Sequence, residues 1–275
     1  MVDHAERLRS RSRAGATPHT SGKLGVDSLL ARRSALRRIP WTLSYVGLLA
    51  YTLAIVTYAL PIGEASMIAA LLGVLFTRGG IKVPAFLLLF GALILWSIVG
   101  YASTAYPASV YQAVDTAARI WLVAFVAVNA IRTPSHLRFY LVFFLACYAM
   151  YPARGAIFNY LAGYTIFGRT LWNYIYENPN DLAALTFLPL SIAAALFMTE
   201  RNRLFRLGAL ASLVVFPILI LMTQSRGAVI ALAIVGLLVL TWQRNRGRIL
   251  AAMVALALVA AMVVPESAWD RFSGL

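Results

Sequence analysis

The sequence predicts an all-α fold: a polytopic bundle of about nine membrane-spanning helices. Three observations lead there. The 275 residues are 61% hydrophobic and only 12% charged, with a mean hydropathy of +0.78. A soluble domain sits nearer half apolar and a quarter charged. The apolar residues fall into long runs, and the basic residues fall between those runs. A net charge of +14 could speak for nucleic acid only if the cations gathered on one soluble face. They are spaced instead as topology signals, so no nucleic-acid partner is expected and membrane lipids are.

Residues 1–38 are polar and basic, rich in Ser, Gly and Ala, and read as a disordered cytoplasmic tail. Its end, "ARRSALRR", carries a twin arginine before an apolar stretch. A topogenic charge cluster is the better reading than an export signal, because further spans follow. The transmembrane domain is expected over 39–264. A helix crosses a hydrocarbon core of roughly 30 Å with about 20 apolar residues. Candidate spans are 41–60, 62–76, 83–102, 108–130, 137–152, 181–198, 207–222, 227–242 and 249–264, and 62–76 is the shortest. With every span crossing and the tail inside, the cytoplasmic loops 77–82, 131–138, 199–206 and 243–248 hold ten Lys and Arg residues. The outer side holds four, namely Arg154, Arg169, Arg226 and Arg271. Making 62–76 re-entrant would reverse the balance against the positive-inside rule, so all nine are expected to cross. Pro189 and Pro217 lie within the sixth and seventh spans and are expected to kink them. The last stretch, 265–275, is expected to begin a segment on the outer side.

The single cysteine, Cys147, excludes an intramolecular disulfide. His4, His19 and His136 are too scattered for metal-ligand spacing. Chemistry is therefore sought on the outer side. In "LMTQSRGA", Ser225 is a good N-cap for the eighth span, and the amides of Arg226, Gly227 and Ala228 would face outward. Arg226 is poorly placed for the helix dipole and well placed to hold an anion; snorkelling to the headgroups is the plainer alternative. "ENPNDLAAL" opens the sixth span with Asn178 at the N-cap, Pro179 at the first helical position and Asp181 at the third. That pattern leaves Glu177 and Asn180 free, facing the same compartment as Arg226.

The outer loop 153–180 sets Arg154 and Arg169 among Phe158, Tyr160, Tyr164, Phe167, Trp172, Tyr174 and Tyr176. These aromatics suit an interfacial belt or a platform for sugar rings. In the fourth span Asp115 and Arg119 share a helix face. They read as a self-neutralised pair turned to the bundle interior, or as part of a polar cavity.

"NPNDLA" at one helix head and "LMTQSRGA" at a later one, with Arg169 shortly before the first, resemble the O-antigen ligase and O-antigen polymerase superfamily. "WDRFSGL" is similar to the stretch where members enter a large periplasmic loop. The likeness is concentrated in 154–275. It implies a GT-C-like, multi-pass glycosyltransferase of the bacterial inner membrane, with its N-terminus cytoplasmic. Such an enzyme takes a glycan from an undecaprenyl-pyrophosphate carrier at the periplasmic face, as in lipopolysaccharide biosynthesis. The acceptor is a lipid A-core sugar, a growing polysaccharide or a protein, and no nucleotide or metal cofactor is implied. Carried over residue by residue, Arg169 and Arg226 would contact the pyrophosphate, with Arg154 a weaker third. Asn180, Ser225 and Gly227 would complete the substrate site. The family's loop normally supplies a histidine as base. Here no expected outer loop contains one, so the chain is expected to be a piece of a longer enzyme, with Glu177 the alternative base. The competing classes are a secondary transporter or lipid-linked oligosaccharide flippase, and a non-enzymatic membrane scaffold whose basic tail binds anionic lipid.

Overall fold

A computed structural model describes residues 41–77, 80–101 and 103–242, with isolated positions as far as 258. The basic tail, the 243–248 loop, the ninth candidate span and the 265–275 segment fall outside the residues described throughout. The regular elements of the described residues are helices, namely Leu43–Thr57 (α1), Gly63–Leu75 (α2), Ala85–Tyr101 (α3), Pro107–Ala130 (α4), Pro134–Tyr148 (α5), Arg154–Leu161 (α6), Pro179–Thr199 (α7), Arg203–Met222 (α8) and Arg226–Trp242 (α9). Four helical stretches are long and apolar enough to cross a membrane: 107–130, 134–161, 179–199 and 203–222. That makes this a membrane protein. The other four apolar helices run 13 to 17 residues. At 1.5 Å per residue, the 13 residues of α2 extend only about 20 Å.

The helix ends follow local rules. The Thr42 hydroxyl caps α1 by accepting from Tyr45 N at 3.3 Å. Thr133 does the same for α5 from His136 N at 3.1 Å, with Pro134 at the first helical position. Close approach then sets the packing of the first hairpin. A Cβ on Gly47 would lie 2.6 Å from Ala70 N and 2.8 Å from Ser66 O, and one on Gly73 would run into the Ser44 amide. Only glycine lets α1 and α2 come so near. The Asn129 side chain ties the end of α4 to the α2–α3 connection, accepting from Lys82 N at 2.8 Å and donating to Lys82 O at 2.9 Å. Among α5, α7 and α8 lies the main core. There Tyr148 packs edge-on to Phe216 at 5.6 Å and its hydroxyl meets Thr186 Oγ1 at 2.7 Å.

Two expectations need correction. The fifth span does not stop at 152. The helix passes through Ala149–Ala153 as a π-helical turn and continues to Leu161, so the expected outer loop begins nine residues late. Pro152 has no N–H to give and would clash with a tight turn; the wider π turn absorbs it. The Asp115–Arg119 pair forms, at 2.8 Å, but it does not face the interior. The side chains are 42% and 71% exposed. The buried residues of α4 are Val126, Asn129 and Ala130, near its other end.

A second ion pair joins α5 to the end of α7. The Arg138 fork donates to Glu200 through Nε at 2.7 Å and Nη2 at 2.8 Å, and Asn202 N donates to the same carboxylate at 2.8 Å. The hydrogen bond from Arg138 comes first among the causes that hold the Glu200 carboxyl below its ordinary value of 4.5. A depressed carboxyl contributes stability that is complete above its unfolded value and lost as pH falls through the folded one. Acidification below that ordinary range is therefore expected to lower Tm more in the wild type than in Glu200→Gln. Identical acid profiles for the two would discard this account.

Candidate functional site

The head of α7 is built as its sequence reads. Asn178 Oδ1 accepts from Asn180 N at 2.9 Å, Pro179 takes the first helical position and Asp181 sits in the first turn. Glu177 and Asn180, expected to be free, are not. Glu177 Oε1 accepts from Tyr174 N at 3.2 Å and so closes the 3-10 turn Tyr174–Tyr176. The Asn180 carboxamide oxygen accepts from Arg169. Short polar side chains beside a turn find backbone and side-chain partners that spacing alone does not reveal.

Arg169 is delivered by a two-residue hairpin turn. Ile166 and Arg169 exchange backbone hydrogen bonds of 3.0 and 3.1 Å, and between them Phe167 and Gly168 have φ of +53° and +74°. Two left-handed residues in succession fit a type I′ turn. Glycine takes this conformation freely and phenylalanine does so at a cost. From this turn the Arg169 guanidinium reaches in two directions. Nε donates to Thr223 O at 2.8 Å and Nη2 to Asn180 Oδ1 at 2.6 Å. Two further bonds hold the hairpin against the α8–α9 junction: Thr170 N to Met222 O at 3.1 Å, and Gln224 Nε2 to Gly168 O at 3.1 Å.

At that junction Thr223, Gln224 and Ser225 are buried, while Arg226 and Gly227 are exposed. Ser225 stands at the expected cap position, with its carbonyl accepting from Val229 N at 3.0 Å. Among the described residues its hydroxyl makes no capping bond to the first turn. Arg226 has no hydrogen-bond or ion-pair partner among the described residues. The first amides of a helix have no intrahelical acceptor, so the exposed face here is cationic and rich in donors.

Four non-glycine residues among those described have positive φ: Tyr58, Phe167, Tyr174 and Gln224. All four belong to this region. Phe167 shapes the hairpin, and Gln224 lies between the Thr223 acceptor and Ser225. Tyr174 precedes Glu177, and Tyr58 stacks on Tyr174 at 5.1 Å. Each such residue costs about 1–3 kcal/mol, and such costs concentrate where a site must hold a set geometry.

The remaining expected residues divide. Arg154 lies over the Phe158 ring at 4.8 Å on its own helix. Among the described residues it forms no hydrogen bond with Arg169, Asn180 or Thr223. The expected aromatics divide, with Tyr160 half-buried on α6 and the others in two groups. Tyr176 is buried and Trp172 half-buried, and the two pack together at 5.6 Å. Trp172 fits because residue 155 is glycine, since a Cβ there would overlap its ring. Burial raises the Tyr176 hydroxyl well above its ordinary value, so it stays protonated at neutral pH. Phe158, Tyr164, Phe167 and Tyr174 are turned outward. Sequence reasoning missed Thr170, Thr223 and Gln224. Only the Phe-Gly pair before Arg169 hinted at a tight turn.

The geometry thus defines an all-helical membrane protein in which Arg169 fastens one helix head, at Asn180, to the junction that opens another. No protein-family model matches the chain, and no curated protein or solved structure does either.

Proposed function

We propose that this chain is an O-antigen ligase- or polymerase-like glycosyltransferase, moving a glycan from undecaprenyl pyrophosphate to a lipid A-core, polysaccharide or protein acceptor at the periplasmic face. The observation that carries the reading is the Arg169 guanidinium bonded both to Asn180 and to Thr223. Two stretches that carry the family resemblance, the head of α7 and the α8–α9 junction more than 40 residues later, thus meet at one guanidinium. In the reaction, the acceptor oxygen bonds to the anomeric carbon as the bond from that carbon to the pyrophosphate oxygen breaks. The leaving group departs as an anion. Arg226 and the first amides of α9, with Gly227 allowing close approach, stabilise that charge. Arg169 keeps the two helix heads in register around it. Glu177, one residue before the α7 cap, is the alternative to a loop histidine as the base that takes the acceptor proton.

The reading includes nine spans, a GT-C-like bundle and a cytoplasmic N-terminus. In intact cells an impermeant thiol reagent is then expected to label Tyr164→Cys, at a position 71% exposed, and to leave Arg203→Cys unlabelled. Native Cys147 is buried and does not compete. Labelling of residue 203 with residue 164 silent would invert the topology. The function itself is tested with a radiolabelled undecaprenyl-pyrophosphate glycan, an acceptor, and the protein in lipid vesicles. Transfer to the acceptor is expected. Movement of the donor across the vesicle without transfer would replace this reading with a flippase.

A further inference from the structure

A groove of about 430 Å³ opens between the start of α5 and the end of α7, remote in sequence from the arginine-linked helix heads. Leu137 and Leu141 form one wall and Leu196 another, and the mouth carries Arg138, Thr199 and Arg201. Both helices belong to stretches able to cross a membrane. Pro134 and Thr199 are their terminal residues, so the mouth stands where they leave the hydrocarbon. Leu141, seven residues past Pro134, lies about 10 Å deeper.

The charge at the mouth is settled by Glu200. Its side chain is only 2% exposed, whereas that of Arg138 is 56% exposed. The carboxylate is turned inward against the arginine fork and the Asn202 amide. What reaches the opening is the outer edge of one guanidinium and, beside it, exposed Arg201. A cationic mouth over an apolar slot at this depth complements an amphiphile with an anionic head and a hydrocarbon tail. A free anion would leave the leucine walls unused, and a neutral lipid would leave the cations unanswered.

We propose that the α5–α7 groove is a binding site for an anionic phospholipid, with its phosphate at Arg201 and Arg138 and one acyl chain against Leu137, Leu141 and Leu196. Basic pockets between membrane helices hold acidic headgroups in this way, each surface cation contributing about 1 kcal/mol, or roughly five-fold.

The test uses the full chain in nanodiscs with phosphatidylglycerol or phosphatidylcholine probes that carry the same photoreactive acyl chain. Cross-links are mapped by mass spectrometry, which separates this groove from lipid held elsewhere by basic segments. The expected result is cross-linking at the leucine walls several-fold stronger for phosphatidylglycerol. Arg201→Gln should bring it down about five-fold, for one lost cation, and Arg201→Lys should keep it. Leu141→Trp fills the slot, leaves the charges in place and stays apolar enough to insert, and it should also abolish the preference. Excess inorganic phosphate should leave the cross-links unchanged. Equal labelling by the two probes, or a preference that survives both Arg201→Gln and Leu141→Trp, would overturn the proposal. Displacement of the lipid by phosphate would make the mouth a free-anion site and overturn it too.

Discussion

Arg169→Ala is expected to reduce glycan transfer by about 10²-fold, the scale of a misplaced catalytic group, because the arginine holds the two helix heads in register. Thermal stability should fall with it. The substitution removes two hydrogen bonds at once, to Thr223 O and Asn180 Oδ1. Bonds from a charged donor contribute about 1.5–3 kcal/mol each when formed. Their loss also removes the hydrogen-bonded link from the α7 head to the α8–α9 junction. Arg169→Lys should be nearly as damaging, because one ammonium cannot reproduce a planar fork with two separated targets. Asn180→Ala provides the control. If the two side chains act as one fastener, the double variant should be little worse than Arg169→Ala alone. Transfer rates and Tm for the wild type and these four variants decide the matter. Wild-type turnover by Arg169→Lys would show that the fork is unimportant, and strict additivity would show that the Asn180 bond is incidental.

The helices were legible because apolar runs of span length, Pro at first helical positions and Asn or Thr caps are all local signals. Seven of the expected spans correspond to helices within a few residues, and an eighth, the fifth in order, runs on to Leu161. The partners of Arg169 were not legible. They depend on a hairpin in which Phe167 accepts a left-handed backbone, and on a buried glutamine, Gln224, in the same conformation. Neither residue type announces it. The Asp115–Arg119 pair shows the same division within four residues. Its contact follows from helix geometry, so the sequence contained it. Which way the pair faces depends on what packs against α4, and only the tertiary structure answers that. The end expected for the fifth span at 152 failed for a third reason. A proline ends most helices, but a π turn can carry one through, and Ala149–Ala153 does so.

Arg226→Ala should separate what Arg169→Ala confounds. Arg226 is exposed and begins α9, with no partner among the described residues. Its positive charge sits against the positive end of the helix dipole, an arrangement that costs about 0.3–1 kcal/mol at an exposed site. Removing it should therefore leave Tm unchanged or slightly higher, the opposite sign from Arg169→Ala. Transfer should nonetheless fall about 10²-fold, as for a donor aimed at developing charge. If Arg226 acts on the departing pyrophosphate, the loss should appear in kcat more than in KM, since that charge is greatest in the transition state. A change confined to KM would place Arg226 on the bound donor without a part in bond cleavage. Arg226→Lys, which keeps the charge and loses the fork, should retain more activity than Arg169→Lys, because no two fixed protein acceptors depend on it. Full activity for Arg226→Ala would take this residue out of the site. A fall in Tm matching that of Arg169→Ala would make it a structural arginine, and the helix head alone would then have to answer the anion.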